Sequence, residues 1–107
     1  MVASTIGIAK NPYGGKGELV MARIKAIKVT ECIKRALNLD DDDVAIIRAD
    51  GSPTDAWRLR KSGFEWFEEG LWLRAIDHIA NCEGCRKELA ITNSEIKAEL
   101  ALIVLMR

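Results

Sequence analysis

Cysteine is scarce and odd in number, with three thiols in 107 residues. That excludes the paired framework of a small secreted domain and is the pattern expected of a chain kept in a reducing cytoplasm. Long apolar runs are missing too: the longest, "LALIVLM" from Leu100 to Met106, falls far short of the roughly 20 residues that cross a bilayer. No membrane partner is expected. The start, "MVASTIGIAK", has neither a basic n-region nor a continuous apolar h-region, so it does not read as a secretory leader. Net charge is absent overall but unevenly placed. Residues 1–38 carry seven Lys/Arg against two Glu, whereas residues 39–107 carry nine against fourteen acidic groups. Neither part has the cationic density that phosphate neutralisation needs, which argues against nucleic acid and suits self-association. Tandem repeats and low-complexity segments are lacking. No nucleophile, base and orienting group fall into a constellation, so no catalytic residue is assigned and no enzyme is expected.

What is present is enough apolar residue, 49%, to build one packed domain under a surface supplied by 30% charged residues. Residues 1–17 read as an N-terminal arm with a glycine-rich turn, since Pro12, Gly14, Gly15 and Gly17 forbid a helix there. Val20, Ile24, Ile27 and Ala26, Val29, Ile33, Leu37 recur at helical spacing and predict a helix over 18–39. Asp40 to Asp43 stop it, four repelling carboxylates that belong in solvent or at the next helix start. "VAIIRADG" reads either as a short strand pairing with "STIGIA" or as a buried connector. Ser52, Pro53 and Asp55 look like a helix start, and Gly70 like the hinge of a helical hairpin over 52–90. Thr92 and Glu95 stand at capping-box spacing ahead of a C-terminal helix over 92–107. The expected fold is therefore all-α, a bundle of three to four helices with at most a short β pair near the N-terminus.

Gly63, Trp66, Gly70 and Ala75, followed by Ile79 and Cys82, stand at the offsets of small, aromatic, turn and small residues in a tetratricopeptide hairpin. Residues 56–82 resemble one such repeat. The resemblance implies a tight antiparallel helix pair and a role in protein–protein contact. After Glu99 the last helix is apolar nearly all round and needs cover from another chain, so a homodimer is expected.

"AIDHIANCEGCRKEL" holds the only histidine. His78, Cys82 and Cys85 are four and three apart, one stripe of a helix, and imidazole and thiolate are the donors Zn²⁺ prefers. The same spacing, continued by Leu71, Ala75 and Leu89, also describes a seam of plain helix packing with no cofactor. A redox Cys-x-x-Cys is a lesser alternative, because Cys82 falls in mid-helix in this reading. Residues 78–89 resemble the His-x₃-Cys-x₂-Cys motif of zinc-binding anti-sigma factors. That resemblance implies a zinc-binding regulator with a fourth ligand from an upstream helix, a place for which Cys32 is the one other thiol. Finally, Asn11 to Gly17 ("NPYGGKG") is similar to the Asn-Pro-x-x-Gly nucleotide loop of diacylglycerol and sphingosine kinases. Gly14, Gly15, Lys16 and Gly17 are thereby candidates for holding a phosphate, although the loop lacks the ending of a P-loop.

Overall fold

The computed structural model describes residues 24–106. The Asn11–Gly17 loop and the "STIGIA" segment lie outside the described residues. The chain runs through strand β1 (Ala26–Lys28), helix α1 (Glu31–Ala36), strands β2 (Asp43–Arg48), β3 (Ala56–Arg60) and β4 (Glu65–Glu68), then helices α2 (Leu71–Ala80), α3 (Glu83–Leu89) and α4 (Asn93–Met106). The strands form one antiparallel sheet in the order β1-β2-β3-β4. This is an α+β fold, and it overturns the all-α expectation.

The correction has local causes. Ile24, Ile27, Val29 and Thr30 are β-branched, and β1 alternates exposed, buried, exposed about Ile27. A run that short satisfies a period of 3.6 and a period of 2 equally well, and β-branching decides for the strand. The helix expected over 18–39 is thus, among the described residues, a strand and then the six residues of α1. The expected helical hairpin fails over its first half. "AWRLR" and "EWFE" pair as a β-hairpin, Trp57 opposite Phe67 and Arg58 opposite Trp66. Gly63 (φ +89°) sits in its turn rather than at a helix crossing. Ser52 does accept from the Asp55 N–H (3.2 Å), but the bond closes a turn into β3 and starts no helix.

Gly70 marks the real start of a helix. It has φ +76°, and its N–H donates to Asp55 Oδ1 at 2.7 Å. That bond, together with the Ser52 hydroxyl, holds the Asp55 carboxyl below its ordinary value. An added Cβ at Gly70 would meet no neighbour, so Gly70→Ala should cost only the left-handed backbone penalty, about 1–2 kcal/mol. Urea denaturation measures this, and an unchanged midpoint would mean the backbone there relaxes freely.

The helices pack on one face of the sheet. Ile27, Ile46 and Ala56 from the strands meet Leu71, Trp72, Ala75, Ile76 and Ile79 of α2, with Ile33 from α1 and Ile96 and Ile103 from α4. Ala75 is fully buried there, whereas Trp66 is 58% exposed on the hairpin, so they do not pack as a helical pair. The Trp72 indole N–H donates to the buried Glu99 carboxylate at 3.0 Å, tying α2 to α4. Thr92 and Glu95 form their reciprocal capping bonds ahead of α4. Val104 and Leu105 near its end remain exposed. Among the described residues no helix is long and apolar enough to cross a membrane.

The aspartate run is not all solvent-facing. Asp43 is 5% exposed and takes two bonds from Arg58, from Nε at 3.1 Å and from Nη2 at 2.6 Å. Arg60 ties Asp40 and Asp42 to the same strand. Arg58 and Arg60, two apart on β3, both reach the aspartate run at the start of β2.

Candidate metal centre

Thr30 lies two residues beyond β1 and caps α1, its hydroxyl oxygen accepting from the Ile33 N–H at 3.0 Å. That cap fixes the first turn of α1, buries Ile33 and leaves Cys32 half-buried beside α2. α2 reaches His78 in its last turn and ends at Asn81, whose side-chain amide donates to the Asp77 carbonyl at 2.8 Å. Cys82 is extended (φ −135°) and is the N-cap of α3 rather than a mid-helix residue. Arg86 on α3 donates to the Ile79 and Ala80 carbonyls, both at 2.8 Å, and so fixes the angle between the two helices.

The break matters geometrically. On an unbroken helix His78 and Cys85 would be separated by about 10 Å of rise, too far to share one ion. Bent at Cys82, the chain brings Cys85 Sγ to 3.4 Å from His78 Nε2. From α1, Cys32 Sγ lies 3.3 Å from the same nitrogen and 3.8 Å from Cys82 Sγ. All four donor atoms of Cys32, His78, Cys82 and Cys85 lie within 4.8 Å of one another. A tetrahedral ion with bonds of about 2.3 Å to sulfur and about 2.0 Å to nitrogen has edges of about 3.8 Å (S–S) and 3.5 Å (S–N). The three separations lie close to those edges, and the four side chains are placed where they could hold a metal ion.

The surroundings favour thiolate at Cys82 and disfavour it at Cys85 in the absence of a cation. The Cys82 thiol is held below its ordinary value by the Cys85 backbone N–H and by the Cys85 and Cys32 side chains, with a further bond from the Gly84 N–H. Burial pushes the Cys85 thiol up to about 11. A thiol so placed ionises when a dication sits beside it. Thr30 supplies the outer contact, Oγ1 lying 3.7 Å from Cys85 Sγ. Because that oxygen accepts from Ile33, its own proton is free to be given to sulfur.

The structure thus brings together His78, Cys82 and Cys85 and adds Cys32 from the upstream helix. Thr30 was missed by sequence reasoning. Its signal was there, a threonine three residues before an apolar position at the true start of α1, hidden by reading 18–39 as continuous helix. Comparison of the chain with protein-family models, with curated proteins and with solved structures finds no match.

Proposed function

We propose that the protein is a zinc-binding regulatory protein whose site is closed, with Cys32, His78, Cys82 and Cys85 as its four ligands. The observation that carries this reading is the cluster of four donor atoms within 4.8 Å of one another, in which Cys32–His78, Cys85–His78 and Cys32–Cys82 stand at 3.3, 3.4 and 3.8 Å, close to the edges of a tetrahedron about Zn²⁺. Four protein donors leave no position for substrate, so the ion's work is structural: it ties α1 to the bend between α2 and α3. The upstream ligand stands 46 residues before His78, in keeping with the resemblance to zinc anti-sigma factors at the level of the ligand set. By that resemblance the regulated partner is a protein.

Regulation follows from thiolate chemistry. Two of the three thiolates can form a disulfide by giving two electrons to hydrogen peroxide, which takes up two protons and leaves as two waters. The ion then loses two ligands and departs.

Elemental analysis of protein purified without chelator should give close to one zinc per chain, and peroxide should release it to a chromogenic indicator. Fewer than about 0.2 zinc per chain, with no uptake on titration, would end this reading. Serine at Cys32 should lower the content as far as serine at Cys82 does.

A further inference from the structure

The two edges of the sheet are complementary to each other. β1 at one edge, with the residue before it, reads Lys25-Ala26-Ile27-Lys28, and β4 at the other reads Glu65-Trp66-Phe67-Glu68. Laid antiparallel, the charged ends oppose, Lys28 to Glu65 and Lys25 to Glu68, with Ala26 against Phe67 and Ile27 against Trp66 between them. The sheet's own register already places these residues in common rows. Ala26 leads through Ile47 and Trp57 to Phe67, and Lys28 leads through Ala45 and Leu59 to Glu65. Because β1 and β4 run in opposite directions, a second copy moved across the sheet presents its β1 antiparallel to β4 with no change of face.

The backbone agrees. Val29 donates to Val44 and Arg48 donates to the Lys25 carbonyl, so the odd residues of β1 face β2, and Ala26 and Lys28 turn their peptide groups away from it, to an edge that no other strand covers among the described residues. Arg60 donates to the Phe64 carbonyl, so Phe64 and Trp66 face β3, and Glu65 and Phe67 turn outward. The register chosen by charge therefore sets outward peptide groups against outward peptide groups.

Side chains find places as well. Trp66, 58% exposed, shares the helix-side row with Arg58, Ile46 and Ile27. Beside β1 on that side runs a groove of about 410 Å³ between the strand and the α3–α4 corner, lined by Ile24, Ile27, Leu89 and Ile91 among others. In this register, the Trp66 ring of a second copy would lie opposite Ile27, beside that groove. Phe67, 44% exposed, would stand next to the small Ala26 on the other face.

In symmetric registers that set outward peptide groups together, β4 against β4 opposes Glu65 to Phe67 and β1 against β1 opposes Lys28 to Ala26, so neither gains the opposite-charge pairs of the head-to-tail contact. We propose that copies of this chain associate head to tail, the β4 edge of one adding to the β1 edge of the next and continuing the sheet. Such a contact does not close on itself as a two-fold dimer does.

Sedimentation velocity of the full chain over a concentration series tests this. The weight-average mass should climb past that of a dimer and fall with added salt. K28E and E65K should each weaken association about tenfold. The K28E/E65K double variant, or an equimolar mixture of the two single variants, should recover it. Neither position pairs within the sheet's ion network, so circular dichroism should be unchanged in both. A chain that stays monomeric at every concentration overturns the proposal. So does a dimer that K28E leaves intact, which would place the contact at β4 alone or on α4.

Discussion

Zinc-loaded protein is expected to melt at least about 15 °C above the same protein stripped by a chelator, and Cys32→Ser is expected to abolish that difference. The size follows from mass action. An ion bound only by the folded state, free at a thousand times its dissociation constant, adds about 4 kcal/mol, and each kcal/mol moves the midpoint of a domain near 100 residues by about 4–8 °C. Cys32 is the decisive position because the other three ligands lie within eight residues of one another, at the bend between α2 and α3. Only Cys32 makes the ion a long-range link, holding an α1 of six residues with one buried side chain, Ile33. Serine is close to isosteric with a half-buried thiol, so the stripped forms of wild type and variant should melt within a few degrees of each other. Equal melting of loaded and stripped wild type would remove the metal from any account of this fold. A metal-dependent shift that survives in Cys32→Ser would instead move the fourth ligand elsewhere.

The residues that were legible from sequence are those whose chemistry is local. His78, Cys82 and Cys85 stand out because few residue types share their ligand chemistry, whatever backbone carries them. Thr92 and Glu95 spell a cap that needs only three intervening positions, and they form it. The sheet was hidden because its strands are three to six residues long, too short for a period to declare itself. Trp57 and Leu59 alternate in β3, but Gly63, Trp66, Gly70 and Ala75 also fit a helical-hairpin spacing. Four spaced residues cannot carry a fold when the segments between them prefer strand. The bend at Cys82 was masked by apolar spacing that runs through it, although Asn81 is a residue that favours helix ends and Gly84 one that weakens a helix interior. The ion pairs of β3 depend on register, which no single strand reveals.

Those ion pairs hold the other large effect. Asp43→Asn is expected to cost about 3 kcal/mol at neutral pH, lowering the thermal midpoint by about 10 °C or more. The Asp43 carboxylate is shut away from water, accepts the Asp40 N–H at 3.0 Å, and faces an Arg58 side chain only 16% exposed. Removing its charge leaves Arg58 with Glu68 at 3.2 Å as the remaining close partner. The pH dependence identifies the cause. Burial pushes the Asp43 carboxyl up, but the bonds from Arg58 and from the Asp40 N–H outweigh it, and the net value lies below the ordinary one. A carboxyl depressed in the folded state adds stability in full above its unfolded value of about 3.9, and that stability is lost as pH falls through the lower folded value. The gap between wild type and Asp43→Asn should therefore stay constant from pH 7 to about pH 5 and shrink below about pH 4, as the wild-type carboxyl takes up its proton. Arg58→Met should show the same trend but from a higher pH: it strands a buried carboxylate that burial pushes up, so its deficit is largest at neutral pH and is relieved earlier by acid. In the double variant the two losses should fail to add, because each single change already breaks the same contact. Additive losses, or a gap independent of pH down to pH 3, would show that the pair holds β2 to β3 by packing alone.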